Sequence, residues 1–141
     1  MGKILIVEDE ENIRQLLRYN LEKEGFQVME AADGLQGLRT AQREKPDLVV
    51  LDLMLPGMDG LALLKQIKQR HPMLPVIIMT AHSDLDAAVS AYQQGAFDYL
   101  PKPFDIDEAV ALVDRAISHY QEQQQPRNAP ISSPTADIIG E

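Results

Sequence analysis

Short apolar runs recur at regular intervals along the chain. Most are four or five residues long and rich in Ile, Leu and Val, which is typical of strands that are buried on both faces of a parallel sheet. The second run is more polar than the others. We predict strands at Lys3–Val7, Gln27–Ala31, Leu48–Leu51, Pro75–Met79 and Phe97–Leu100.

Between these runs the apolar residues repeat at intervals of three and four, as on one face of an amphipathic helix. Gly25 follows the first such stretch and is expected to end its helix as a C-terminal cap. The inward-facing residues of the five predicted helices are, in order, Ile13, Leu16, Leu17 and Leu21; Leu35, Leu38 and Ala41; Leu61, Leu64 and Ile67; Leu85, Ala88, Val89 and Tyr92; and Ile106, Ala109, Val110, Val113 and Ile117.

Polar residues and prolines mark the ends of the later elements. Ser83 with Asp86 predicts a capping box for the fourth helix, and Asp105 with Glu108 predicts one for the fifth. The segment Pro101-Lys102-Pro103 predicts a constrained turn. A cis peptide bond before Pro103 fits so specific a turn.

Strands that alternate with helices at these lengths require right-handed crossovers and a parallel sheet covered on both faces. We therefore predict an α/β fold: one flavodoxin-like (βα)5 doubly wound sheet with strand order 2-1-3-4-5, formed by residues 1–122. Residues 123–141 are predicted to be a flexible linker, because Gln, Pro and Ser dominate them. The chain becomes apolar again at Asp137–Glu141, which indicates the threshold of a missing output domain.

Composition and charge exclude several classes of function. The formal charge of −9 argues against a surface that binds nucleic acid or an anionic membrane. Cysteine is absent, so no disulfide, thiolate metal site or thiol nucleophile is expected. No apolar run approaches the roughly 18 residues of a membrane span. We expect a cytoplasmic domain.

Four polar residues follow strands of the predicted sheet, and the first of interest is Asp52. An isolated Asp after a strand is most simply a turn residue. However, the carboxyl ends of parallel strands meet at one edge of the sheet, where ligands bind in such folds. We expect Asp9, Asp52, Thr80 and Lys102 to converge there.

Carboxylates that lie this close repel one another, and a hard divalent cation such as Mg²⁺ relieves the repulsion. Asp9 and Asp52 are predicted to be direct ligands. Glu8 is expected to act through water, and the backbone carbonyl of Met54 completes the set. The alternative for Glu8–Glu11 is a solvated charge run that caps the first helix, and we prefer that alternative for the last two residues of the run.

A carboxylate beside Mg²⁺, facing a hydroxyl and an ammonium group, is arranged to accept a phosphoryl group. Asp52 is the predicted nucleophile, and Lys102 and Thr80 are predicted to contact phosphoryl oxygens. One alternative is a small phosphohydrolase with an aspartyl-phosphate intermediate, but Met54 stands where such enzymes commonly carry an acid/base Asp. Another is a flavodoxin-like nucleotide binder, but no Gly-rich loop follows the first strand.

Residues 3–120 resemble the receiver domains of bacterial two-component response regulators. The resemblance rests on Glu8-Asp9, on Asp52 with the segment Pro56–Gly60, on Thr80-Ala81, on Tyr99 and on Lys102-Pro103-Phe104. It implies a switch rather than an enzyme: a histidine kinase phosphorylates Asp52 with Mg²⁺, and self-phosphorylation and hydrolysis are slow. It also implies that Thr80 and Tyr99 move on phosphorylation and reshape the surface of the fourth helix, fifth strand and fifth helix.

The two halves of the chain resemble different branches of this family. Gly57–Gln125 is similar to receivers of the NtrC type, which control sigma-54-dependent AAA+ ATPases, whereas the first half is similar to receivers of the OmpR and PhoB type. This contrast predicts a chimera with its joint near Leu55–Gly60. The resemblance implies an NtrB-like kinase or a kinase of an OmpR or PhoB system, an AAA+ output domain, and a homodimer linked to phosphorylation.

Three further side chains can be interpreted as structural or as functional. Tyr92 and Leu112 are expected to pack in the core, although exposed apolar area on the last two helices would mark a partner surface. His82 is expected to be a solvent-facing loop residue rather than part of the phosphoryl pocket.

Overall fold

The computed structural model describes residues 2–81 and 83–124, and within them it contains a parallel sheet of five strands in the order β2-β1-β3-β4-β5. This is the predicted flavodoxin-like fold and strand order. The elements along the chain are β1 (Lys3–Val7), α1 (Glu11–Lys23), β2 (Gln27–Ala31), α2 (Gly34–Glu44), β3 (Leu48–Asp52), α3 (Gly60–Arg70), β4 (Val76–Ala81), α4 (Leu85–Gln93), β5 (Asp98–Lys102) and α5 (Ile106–Gln124).

Two hydrophobic layers cover the sheet because side chains alternate along each strand. Ile4 and Ile6 of β1 belong to the layer under α1 and α5. Leu5 and Val7 belong to the layer under α2, α3 and α4. All four are fully buried, so the continuous apolar run of β1 reflects a strand that is covered on both faces.

Helix α2 is rotated relative to the predicted face. Leu35 is 51% exposed, whereas Gly34, Gly37 and Ala41 are buried. A Cβ atom on Gly37 would lie 2.9 Å from the side chain of Val7. The helix therefore approaches β1 through its smallest residues, and the larger leucine is left outside. Helix α1 differs in the same way at one position, because Leu16 is 46% exposed.

Helix α4 also packs through small residues. Ala88 and Ala91 are buried, whereas Leu85, Val89 and Tyr92 are exposed. The expectation that these three face the core is wrong. Leu112 of α5, by contrast, is buried as predicted.

Asp84, rather than the predicted pair Ser83 and Asp86, caps helix α4, because its Oδ1 accepts a hydrogen bond from the Ala87 amide at 3.2 Å. Asp105 precedes α5, and its Oδ1 accepts a hydrogen bond from the Asp107 amide at 2.8 Å. His82 lies outside the described residues.

Strands β4 and β5 are longer at their carboxyl ends than predicted. Thr80 pairs with Pro101, and Ala81 pairs with Lys102, so the predicted turn at Pro101 is instead the end of a strand. Proline is tolerated there because β5 is an edge strand and needs no amide donor on its open side. The Lys102–Pro103 peptide bond is cis.

Helix α5 extends to Gln124 and therefore includes the first two residues of the predicted linker. The rest of that prediction, including Asp137–Glu141, lies outside the described residues. Among the described helices none is both long and apolar enough to cross a membrane.

Candidate functional site

Three carboxylates meet at the carboxyl edge of the sheet. Glu8 and Asp9 follow β1 directly, and Asp52 ends β3, which is the strand paired with β1. One oxygen from each lies within 4.8 Å of the others. Glu8 and Asp52 are buried and Asp9 is exposed, so the cluster opens to solvent on the Asp9 side.

Glu8 is the most deeply buried member of the cluster. It has no exposed surface, and its Oε2 accepts a hydrogen bond from the Glu10 amide at 3.0 Å. Burial is the main cause that raises the pKa of Glu8 to about 7, and the nearby charge of Asp52 adds to the effect. The prediction that Glu8 acts through water did not anticipate that its carboxylate is enclosed.

Lys102 bridges the two buried carboxylates. Its Nζ lies 2.7 Å from Glu8 Oε1 and 3.0 Å from Asp52 Oδ2. Burial of this ammonium works against its charge, but the two carboxylates outweigh that effect and raise the pKa of Lys102 above its ordinary value. The ammonium group therefore stays charged at neutral pH and offsets part of the repulsion within the cluster.

Asp52 has a defined orientation. Oδ1 accepts a hydrogen bond from the Met54 amide at 3.0 Å, and Oδ2 accepts one from Lys102. The Met54 side chain is 68% exposed, so at this position the backbone, rather than the side chain, faces the carboxylate.

Thr80, the last residue but one of β4, carries an unusual hydroxyl group. The residue is 1% exposed, and Oγ1 has no hydrogen-bond partner among the described residues. A buried hydroxyl without a partner costs about 1–3 kcal/mol. Such a group is explained most simply by a partner that arrives later, and Thr80 stands on β4, next to the strand that carries Asp52.

Tyr99 is a predicted site residue whose described contacts lie outside the cluster. It pairs with Ile78, two positions before Thr80 in the strand ladder. Its ring packs edge-on against Tyr92 with a centroid distance of 6.1 Å. The Tyr92 hydroxyl donates to Asp98 Oδ1 at 2.5 Å, and burial with this bond raises the pKa of Tyr92 to about 12. Tyr99 thus belongs to the α4–β5 surface.

Arg14 is a site residue that the pattern of the sequence did not reveal. Its Nη1 donates to the backbone carbonyls of Glu8 at 2.7 Å and Asp9 at 3.1 Å. The available signal was electrostatic, because a cation near the start of a helix faces the positive end of the helix dipole and needs a specific partner.

The donor set of the cluster fits a hard divalent cation. Carboxylate oxygens are the ligands that such ions prefer, and a cluster that is open on one side leaves room for water ligands. Lys102 contacts Oδ2 of Asp52 and Oε1 of Glu8, and Asp9 has no such ammonium partner among the described ion pairs. The residues present could therefore hold a metal ion at the Asp9 side.

Comparison with known families shows which family the chain belongs to. The model of the response regulator receiver domain matches residues 4–114. The chain therefore belongs to the response regulator receiver domain family, whose members are signalling switches.

Several proteins that are similar to this chain are nitrogen regulatory proteins. The chain is 72% identical over 140 residues to the DNA-binding transcriptional regulator NtrC of Klebsiella pneumoniae. This alignment covers 99% of this chain and 30% of that protein. A solution structure of the apo receiver domain of nitrogen regulatory protein C is 65% identical, has a TM-score of 0.78, and covers 85% of this chain and 97% of that one. The NtrX receiver domain of Brucella abortus is 41% identical with a TM-score of 0.78, covering 82% and 98% respectively.

These matches limit two interpretations. The chain spans only 30% of the length of the NtrC relative, so the activity of that whole protein does not transfer to it. The same alignment runs through both halves of the chain, and the predicted chimera with a joint near Leu55–Gly60 is therefore not supported.

Proposed function

We propose that this chain is a phosphorylation-dependent switch that accepts a phosphoryl group on Asp52 from a histidine kinase, with Mg²⁺ bound by Asp9, Asp52 and the Met54 carbonyl. The observation that carries the proposal is the position of Lys102, whose ammonium lies 3.0 Å from Asp52 beside two further carboxylates. In a receiver domain this arrangement supports phosphoryl transfer, which depends on positioning and charge neutralisation.

In the transfer, a carboxylate oxygen of Asp52 attacks the phosphorus atom of the kinase's phosphohistidine. A P–O bond forms while the P–N bond breaks, and the departing imidazole keeps the electron pair and regains a proton from solvent. Asp9 and Asp52 would hold the metal ion, which when bound would supply positive charge where the phosphoryl group meets the acidic cluster. Lys102 exchanges part of its contact with the carboxylates for a phosphoryl oxygen, and Glu8 remains the buried counter-charge that holds the ammonium in place.

Thr80 converts the new charge into movement. Its unpartnered hydroxyl donates a hydrogen bond to a phosphoryl oxygen, which removes the cost of the buried free group. Thr80 of β4 pairs with Pro101 of β5. A movement of Thr80 toward the phosphoryl group is therefore passed to Tyr99, which lies on β5. The surface formed by α4, β5 and α5 then changes for its partner.

The family and the similar proteins support the partners that we propose. We assign the receiver to the residues up to the end of α5 at Gln124, rather than to residues 1–122 as predicted, and residues 125–141 to a linker that leads to an output domain. The NtrC relative is a DNA-binding transcriptional regulator, so we assign DNA contact to that output domain, of the sigma-54-activating AAA+ class, and place the chain in the cytoplasm. An NtrB-like kinase and a second copy of the chain are the further partners.

The chemistry is tested with a small phosphodonor. With acetyl phosphate and Mg²⁺ the chain should gain the mass of one phosphoryl group, and beryllofluoride should shift the amide signals of Thr80 and Tyr99. Asp52→Asn should show neither effect, because the nucleophile is absent. The matched control is Asp47→Asn, which removes a carboxylate whose Oδ2 accepts from the Lys3 amide, away from the cluster.

An adduct that persists in Asp52→Asn would contradict the assignment of the acceptor. Equal adduct formation with and without a metal chelator would contradict the metal dependence while leaving the acceptor intact.

A further inference from the structure

Arg14 stands where a cation is least favoured along its helix. It is the fourth residue of α1, close to the positive end of the helix dipole, and only 16% of its side chain is exposed. A partly buried guanidinium at this position requires strong partners to offset both effects.

The partners of Arg14 lie on the backbone that carries the acidic cluster. Nη1 donates to the carbonyl of Glu8 at 2.7 Å and to that of Asp9 at 3.1 Å. Two successive carbonyls are therefore held by one nitrogen. Because the side chains of these residues contribute oxygens to the cluster, the position of this backbone determines where those oxygens lie.

The guanidinium is fixed from its other side by the sheet. Nε donates to Oε1 of Glu30 on β2 at 3.0 Å, and Arg18 contacts the second oxygen of the same carboxylate at 2.5 Å. Glu30 thus anchors Arg14, and together with Glu22, which pairs with Arg18, it balances the charges of the two arginines. A guanidinium whose charge is balanced in this way can hold the two carbonyls without adding net positive charge next to a cation site.

We propose that Arg14 is a positioning residue for the metal site: it holds the backbone of Glu8 and Asp9 in the geometry that brings their carboxylates to Asp52. The inference rests on the proposed function, since it assumes that Mg²⁺ binds at this cluster. Groups that orient metal ligands typically contribute about 10–100-fold to metal affinity.

The test compares Mg²⁺ affinity by calorimetry in the unmodified chain, Arg14→Gln and Arg18→Gln. Arg14→Gln should bind Mg²⁺ about tenfold more weakly, at the lower end of the range for such groups. Arg18→Gln should stay within about twofold, because Arg18 shares Glu30 but has no described bond to the two carbonyls. As a second readout, the amides of residues 8–10 in the metal-free chain should exchange faster in Arg14→Gln only.

Arg14→Lys guards against a variant that fails to fold. Lysine keeps the positive charge near Glu30, but it lacks the planar guanidinium group that contacts two carbonyls and a carboxylate at once. Arg14→Lys should therefore also weaken Mg²⁺ binding, by at least about threefold. Unchanged Mg²⁺ affinity in either folded Arg14 variant overturns the inference. Absence of Mg²⁺ binding to the unmodified chain overturns the proposed function instead.

Discussion

At the scale of single residues, Lys102 stabilises the acidic cluster, because its ammonium group compensates the charge of the carboxylates. Two buried carboxylates share its ammonium group, so the positive charge that the proposed phosphoryl transfer requires is already in place. A preorganised charge lowers the cost of rearrangement during the transfer. The same contacts make the lysine partly structural.

We expect Lys102→Ala to retain the fold and Mg²⁺ binding but to accept a phosphoryl group from acetyl phosphate about 100-fold more slowly, since loss of one preorganised donor typically costs about 10²–10³ in rate. Beryllofluoride signals at Tyr99 should also weaken. Mass spectrometry over time measures the rate, and Lys65→Ala, at an exposed position on α3, is the control. Unfolding of Lys102→Ala would show that the lysine is mainly structural.

The proximity of Asp52 and Lys102 could be predicted because position along a strand was enough. Asp52 and Lys102 end their strands, and parallel topology brings such ends together. Prediction failed for Arg14, whose partners are backbone carbonyls and a glutamate of another strand. Spacing along one helix carries no information about such contacts. The complete burial of Glu8 was hidden in the same way, because acidic residues next to a helix start are usually solvated.

At the scale of elements, the start of α3 determines how the segment after Asp52 is folded. Asp59 caps this helix, with its Oδ1 accepting from the Leu61 amide at 3.0 Å. Gly60 then touches the backbone of Leu53 so closely that a Cβ atom would lie 2.4 Å from the Leu53 oxygen and 2.5 Å from its Cα. The helix therefore packs directly on the backbone that follows Asp52.

Gly60→Ala should destabilise the chain by about 2–3 kcal/mol, because backbone atoms cannot yield to an inserted methyl group. The matched control is Gly34→Ala, also the first residue of a helix after an Asp cap. Its new Cβ would meet Met58 Sδ at 2.4 Å, but that flexible side chain can move, so the loss should stay below about 1 kcal/mol. Urea unfolding measures both, and equal losses would contradict the reasoning.

The elements themselves could be predicted, but not how each helix is rotated. Periodicity identified all five helices, yet α2 and α4 turn glycine and alanine toward the sheet and leave Leu35 and Leu85 exposed. Close packing of a helix on a sheet favours small residues at the contact, whereas a prediction from hydrophobicity alone places the large apolar residues there. Of the apolar side chains left outside on α4, Tyr92 packs against Tyr99 of β5, on the surface that the proposed switch alters.

At the scale of the whole molecule, topology was the most predictable feature, because alternating strands and helices leave few arrangements of a parallel sheet. The layer formed by α1 and α5 is tied to the edge of that sheet by charge as well as by apolar contact. Arg14 and Arg18 of α1 both bind Glu30 of β2. This ion-pair network closes the outer strand against the helix layer.

Because of this ion-pair network, the free energy of unfolding should depend on pH. Burial of Glu30 opposes its charge, but hydrogen bonds from Arg18 and Arg14 prevail and lower the pKa of Glu30 below its ordinary value of 4.5. A group with a lowered folded-state pKa stabilises the fold above its unfolded pKa, and this contribution is lost as the pH falls through the folded-state pKa.

Glu30→Gln should therefore lower the free energy of unfolding at pH 7 by about 1–2 kcal/mol, the range for hydrogen bonds to charged groups after allowance for partial exposure. The difference from the unmodified chain should shrink below the ordinary carboxyl pKa and disappear once Glu30 is protonated in both states. Urea unfolding at a series of pH values measures it. Glu22→Gln removes a carboxylate that is 46% exposed and that, among the ion pairs of the described residues, meets only Arg18, so it should change little at any pH. A constant difference for Glu30→Gln across the series would mean that the side chain stabilises the edge strand by packing rather than by charge.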